Sequence, residues 1–145
     1  MAGQTVFPLK KVSIEILLAQ AGSVEDLSPF IPEEIRSLVS QLNVEHRGVS
    51  YTRNTAILKS RSEWLAFLDA DDNWLPQKLE EQLNVITQTP SAEMIYTNSF
   101  WIDASGRRFK KTQLDEYGKM PQGNIADALL ERNYIITSSV LLKKK

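Results

Sequence analysis

Three carboxylates within four positions dominate the chemistry this chain can offer. Asp69, Asp71 and Asp72 sit in the string Trp64-Leu65-Ala66-Phe67-Leu68-Asp69-Ala70-Asp71-Asp72-Asn73-Trp74-Leu75-Pro76. The five apolar residues that lead into them, 64–68, read as a strand buried on both faces. Acids gathered at the end of such a strand repel one another, and their pKa values rise unless a cation sits among them. Clustered oxygen ligands suit a hard divalent ion such as Mg²⁺ or Mn²⁺. Open α/β sheets bind ligands at the carboxyl ends of their strands. The expected site is therefore a metal centre at a sheet edge, holding a phosphate-bearing ligand.

Three other readings of the acids compete. An EF-hand loop would use Asp69, Asp71, Asn73 and Glu80, but its sixth position needs Gly, and Trp74 stands there. An aspartyl phosphatase would use Asp69 as nucleophile, yet Asp72 and Asn73 follow the second acid where Thr or Val is expected. Simple capping of the next helix explains one acid, since free N–H groups and the helix dipole attract carboxylates. It does not explain three.

The elements that must position these residues alternate between strand and helix. A strand is expected over 12–19, a capped turn at Ser23 and Asp26, and a helix from Pro32 through Ile35, Leu38, Val39 and Leu42. A short strand at 43–46 and a helix at 50–61 follow. After the central strand come a helix at 75–88, with Leu79, Leu83 and Ile86 inward, and a strand at 94–99. A hairpin spans 100–110, a polar loop 114–122, a short helix the stretch from Ile125 to Asn133, and a last strand 135–142. The alternation predicts a mostly parallel, doubly wound sheet with a mixed edge, in one α/β domain over 1–145.

Bulk composition narrows the partners. The formal net charge is -1, so the chain carries no nucleic-acid footprint. With no Cys there is no disulfide, zinc-thiolate site or thiol nucleophile, which fits a reducing, cytoplasmic compartment. Residues 1–11 lack the apolar core of a signal peptide, and no apolar run approaches the ~20 residues of a membrane span. The Lys143-Lys144-Lys145 tail allows a peripheral membrane contact, although terminal Lys triplets are more often solvated. His46, the single histidine, is expected to be a surface or structural residue without chemistry. The basic run Arg107, Arg108, Lys110 and Lys111 is expected to be a solvated turn.

The stretch Gly48-Val49-Ser50-Tyr51-Thr52-Arg53-Asn54-Thr55-Ala56-Ile57 completes a pattern with Leu68-Asp69-Ala70-Asp71-Asp72 and Trp74-Leu75-Pro76-Gln77-Lys78-Leu79. Together these strings resemble family 2 glycosyltransferases. Tyr96-Thr97-Asn98-Ser99 and Ile136-Thr137-Ser138-Ser139-Val140-Leu141 resemble the family's next strand and a later, acceptor-side strand. The resemblance implies a three-layer, nucleotide-binding sheet of GT-A type. It implies metal-dependent, inverting transfer of a sugar from a nucleotide-diphosphate donor to a hydroxyl of a saccharide or lipid-linked acceptor, in cell-surface polysaccharide or lipopolysaccharide assembly. Asp71 and Asp72 would then hold Mn²⁺ or Mg²⁺, and Asp69, Asp71 and Arg53 would bind the donor. Residues 1–11 do not match the family's opening strand, and Ala19-Gln20-Ala21-Gly22-Ser23 lacks the usual base-contacting acids. The general base is unassigned; Asp115 and Glu116 are the nearest substitutes. The chain is thus expected to be an incomplete domain, either an enzyme or a non-catalytic module that binds metal and nucleotide. Unpaired strand edges would allow a homodimer.

Overall fold

The computed structural model describes residues 12–145, so the reading of residues 1–11 lies outside the described residues. Two compact units divide the chain between Glu63 and Trp64. The first is built on two parallel strands, β1 (Ile16–Ala21) and β2 (Val39–Val44), in register from Ile16↔Val39 to Ala21↔Val44. A four-residue helix, α1 (Glu33–Arg36), begins just after Pro32 and stops far short of Leu42. The helical spacing of Val39 and Leu42 is overridden: both belong to β2, where the main-chain groups facing β1 are paired in a parallel ladder. The strand expected at 43–46 is the end of β2, and the strand expected at 12–19 begins four residues later. Ser23 and Asp26 start no helical turn of their own. Their side chains accept N–H bonds from Glu25 and Ser28, ahead of a 3₁₀ turn at Ser28–Phe30.

Helix α2 (Val49–Lys59) starts at Gly48 and packs on β1 and β2. Its exit is tied down by Glu15. One oxygen of that carboxylate accepts bonds from the Ser60 hydroxyl, the Arg61 N–H and both the N–H and hydroxyl of Ser62, at 2.7 to 3.0 Å. His46 is exposed and follows β2. Its Cβ lies 2.9 Å from where a side chain on Gly22 would begin, and Gly22 has φ +74, so only glycine fits.

In the second unit, β7 (Val140–Lys143) lies between β3 (Trp64–Ala66) and β4 (Met94–Tyr96) and runs antiparallel to both. Among the described residues the pairing is therefore mixed rather than mostly parallel: β1–β2 is parallel, and β3–β7, β4–β7 and β5–β6 are antiparallel. The late strand takes the central place because it carries the most buried apolar pair, Val140 and Leu141. The strand expected over 64–68 is only three residues long, with Leu65 buried and Ala66 exposed. Phe67 and Leu68 have left the ladder, and Leu68 is 50% exposed.

Helix α3 (Lys78–Gln88) packs against β4. The hairpin β5 (Phe100–Ile102) and β6 (Arg108–Thr112) forms as expected, its turn closed by Asp103 accepting from the N–H groups of Ser105 and Arg107. Asp103 also pairs with the Arg107 side chain. The polar loop expected at 114–122 instead opens with α4 (Gln113–Tyr117), set by a reciprocal capping box between Thr112 and Asp115 and closed by Gly118 at φ +71. Helix α5 (Ala126–Glu131) precedes a 3₁₀ turn at Thr137–Ser139 that leads into β7.

Candidate functional site

Beyond Ala66 the chain leaves the sheet and turns. The Asp72 N–H donates to the Asp69 carbonyl oxygen at 3.1 Å, closing a tight turn over residues 69–72. Asp71 and Asp72 are exposed on this turn and Asp69 is half-buried at its base. The acids are thus presented by a turn beyond a short strand, not crowded at a buried strand tip.

The turn is held from the far end of the unit's sequence. Ser138 is almost fully buried, and its hydroxyl accepts the Asp69 N–H at 2.9 Å. Its carbonyl accepts the indole N–H of Trp74 at 2.7 Å. One residue therefore pins both flanks of the acidic string to the segment entering β7. Trp74 is held in this way by its indole N–H.

Asp71, Asp72, Trp74 and Lys78 line one cleft of about 550 Å³, closed by Thr97 to Ile102 on one side and Ile136, Ser138 and Ser139 on another. Below it lies Gln82, 1% exposed. Its amide nitrogen donates to the Ile95 carbonyl at 3.2 Å and the Ser139 carbonyl at 2.9 Å, joining α3 to both β4 and the turn before β7. Its amide oxygen accepts from the Lys78 ammonium at 2.8 Å. That ammonium also sits 4.2 Å from the Trp74 ring centroid. Burial pulls the Lys78 pKa down to about 8, because a charged amine loses water there.

Of the residues singled out in sequence, Asp71 and Asp72 meet on the cleft, and Asp69 supports them from the base of the turn. Arg53 lies half-buried on α2, in the first unit. Asp115 is committed to the Thr112 cap, and its acceptor bonds there hold its pKa below the usual carboxylate value. Lys78, Gln82 and Ser138 are the residues sequence reasoning missed. The one signal for Gln82 is its place three residues from Leu79 and four from Ile86, on the inward face of α3.

Among the described residues no group of three or more His, Cys, Asp or Glu side chains is gathered to hold a metal ion. Two exposed carboxylates on a turn suit an ion that completes its shell with phosphate oxygens and water, as Mg²⁺ does with one or two protein carboxylates. The donor set fits a metal that arrives with a phosphorylated ligand. It does not fit a permanently caged one.

The Glycosyl transferase family 2 model matches residues 4–144. The putative glycosyltransferase EpsH of Bacillus subtilis is 28% identical over 123 residues, covering 82% of this chain and 35% of EpsH. The putative teichuronic acid biosynthesis glycosyltransferase TuaG of the same organism is 28% identical over 101 residues, 70% of this chain and 38% of TuaG. An uncharacterized glycosyltransferase of Haemophilus influenzae is 41% identical over 54 residues, 37% of this chain and 18% of that protein. The chain spans well under half the length of each of these relatives. Among the described residues no helix is long and apolar enough to cross a membrane.

Proposed function

The chain belongs to glycosyl transferase family 2, and on that premise we propose that it transfers a sugar from a nucleotide-diphosphate donor to an acceptor hydroxyl. The observation that carries this reading is the pair Asp71 and Asp72, side by side on the wall of one cleft and anchored there through Ser138. In the proposed reaction the acceptor oxygen attacks the anomeric carbon from the face opposite the diphosphate. The carbon–oxygen bond to the diphosphate breaks, and its electron pair leaves with the phosphate. The acceptor proton passes to a base, and the configuration at carbon inverts.

Asp71 and Asp72 would hold Mn²⁺ or Mg²⁺. When bound, the ion neutralises the charge that grows on the departing diphosphate. Asp69 fixes the turn that presents the pair, and Arg53 would contribute to nucleotide binding from α2. A saccharide or lipid-linked acceptor, a cytoplasmic setting and a three-layer GT-A arrangement belong to the same proposal. The relative named for teichuronic acid biosynthesis supports a role in cell-surface polysaccharide assembly. A homodimer would form through a strand edge, since among the described residues β1 and β2 pair only with each other. A single species of monomer mass in concentrated sedimentation runs would count against it.

The test is donor turnover. Hydrolysis or transfer from a sugar nucleotide should require Mn²⁺ or Mg²⁺. It should fall in Asp71→Ala and Asp72→Ala by more than the ~10–100-fold that loss of a supporting partner costs. Metal-dependent binding of nucleoside diphosphates without turnover would instead identify a non-catalytic binding module.

A further inference from the structure

Lys78 stands where an ammonium is costly. It is half-buried, and among the described residues its partners are a neutral amide and an aromatic ring, with no carboxylate paired to it. It is also the first residue of α3, the end of a helix where the macrodipole disfavours cations; Glu80 and Glu81 are the residues that suit that turn. A desolvated charge without a counter-ion persists where something else neutralises it.

The frame around this charge is rigid. The two carbonyls that occupy the Gln82 nitrogen fix its oxygen toward Lys78, and the bond to the Ser138 carbonyl fixes the Trp74 ring. An ammonium has three N–H groups. One goes to Gln82, which leaves two for a ligand in the cleft that Lys78 shares with Asp71 and Asp72.

We propose that Lys78 is a diphosphate-binding residue, a fixed positive charge that meets the donor's phosphate oxygens independently of any metal held by Asp71 and Asp72. This rests on the donor reading above and adds to it a second, metal-free source of phosphate affinity. It also explains the uncompensated charge. The ligand supplies the anion that the fold omits, and the same contact would stabilise the diphosphate as it departs.

Titration calorimetry of inorganic pyrophosphate into the full chain, with and without Mg²⁺, separates the two contributions. Wild type should bind without metal and more tightly with it. Lys78→Met should weaken binding about tenfold or more in both conditions, the usual scale for a hydrogen bond to a charged group. Lys78→Arg should retain most of it. Asp72→Asn should remove only the gain from Mg²⁺. Thermal unfolding of Lys78→Met should lie below wild type, because the substitution leaves the buried Gln82 oxygen without its donor. Should that variant melt below the assay temperature, Lys78→Gln carries the same binding expectation. Wild-type affinity in the neutral variants, or no metal-free binding by wild type, overturns the assignment of Lys78. If the Mg²⁺ gain survives in Asp72→Asn while Lys78→Met loses affinity, the metal role of Asp72 fails and that of Lys78 stands.

Discussion

At the scale of single residues, the acidic turn depends on a serine that has no chemistry of its own to advertise. Ser138 accepts the Asp69 N–H at its hydroxyl oxygen and the Trp74 indole N–H at its carbonyl. Ser138→Ala keeps the carbonyl bond and loses the hydroxyl, leaving a partly buried N–H without its acceptor. The expected cost is ~1–3 kcal/mol in urea unfolding, together with weaker Mn²⁺-dependent nucleotide binding while the Asp71 and Asp72 carboxylates remain intact. If stability drops and nucleotide affinity does not, Ser138 holds the fold and not the site. That Asp71 and Asp72 share one turn on the cleft is legible in the sequence, because they are adjacent and directly follow an apolar run. Ser138, Gln82 and Lys78 are not, because each acts through a partner far along the chain: Ser138 lies 69 residues from Asp69, and Gln82 lies 57 from Ser139. A lone polar residue on an amphipathic helix looks like solvent-facing surface until the carbonyls it bridges are known.

At the scale of elements, the places where sequence pattern and structure part share one cause. Val39 and Leu42 keep helical spacing with Ile35 and Leu38, yet they lie in β2 because β1 offers a parallel partner. Local periodicity carries no information about that partner. Likewise the last strand expected at 135–142 becomes β7 at the centre of its sheet, a place its own residues do not announce. The helix α4 differs. Its signal was present in Thr112, Asp115 and Gly118, a capping box followed by a left-handed stop. Helix α3 and the hairpin are readable because the apolar spacing of Leu79, Leu83 and Ile86 and the turn residues are local. Glu15 illustrates the long-range kind of tie, joining the approach to β1 to the exit of α2. Its four acceptor bonds, led by the Ser60 hydroxyl, lower its pKa from 4.5 to about 2. The unfolded chain therefore binds the proton more readily. The stabilisation is complete above about pH 4.5 and is lost as pH falls toward 2. Glu15→Gln should be less stable than wild type at pH 6. The gap between the two in chemical denaturation should narrow steadily between pH 4.5 and 2.5. A gap independent of pH would mean that the carboxylate's charge contributes nothing.

At the scale of the whole molecule, one family match runs across both compact units, and each unit has a small apolar core. Among the described residues the first buries Val44, and the second buries Leu65, Tyr134, Val140 and Leu141, while Val24, Phe30, Leu58 and Leu130 stay at least three-quarters exposed. Domains with so little buried apolar surface are marginally stable. A ligand that binds only the folded state then contributes a large share of the total. At a hundredfold excess over Kd the linkage is about 2.7 kcal/mol. In a unit the size of Trp64–Lys145 this corresponds to a rise in Tm on the order of 10 °C. Scanning calorimetry with Mn²⁺ and a series of nucleoside diphosphates should show such a rise for the one nucleotide the donor site accepts, and a smaller one or none for the others. Asp71, Asp72 and Lys78 all belong to that unit. The rise should vanish in the Asp71→Ala, Asp72→Ala double variant, whose ligand-free Tm should stay near wild type because both side chains are exposed. A transition that no nucleotide moves, in wild type at saturating Mn²⁺, would remove the donor site from this chain.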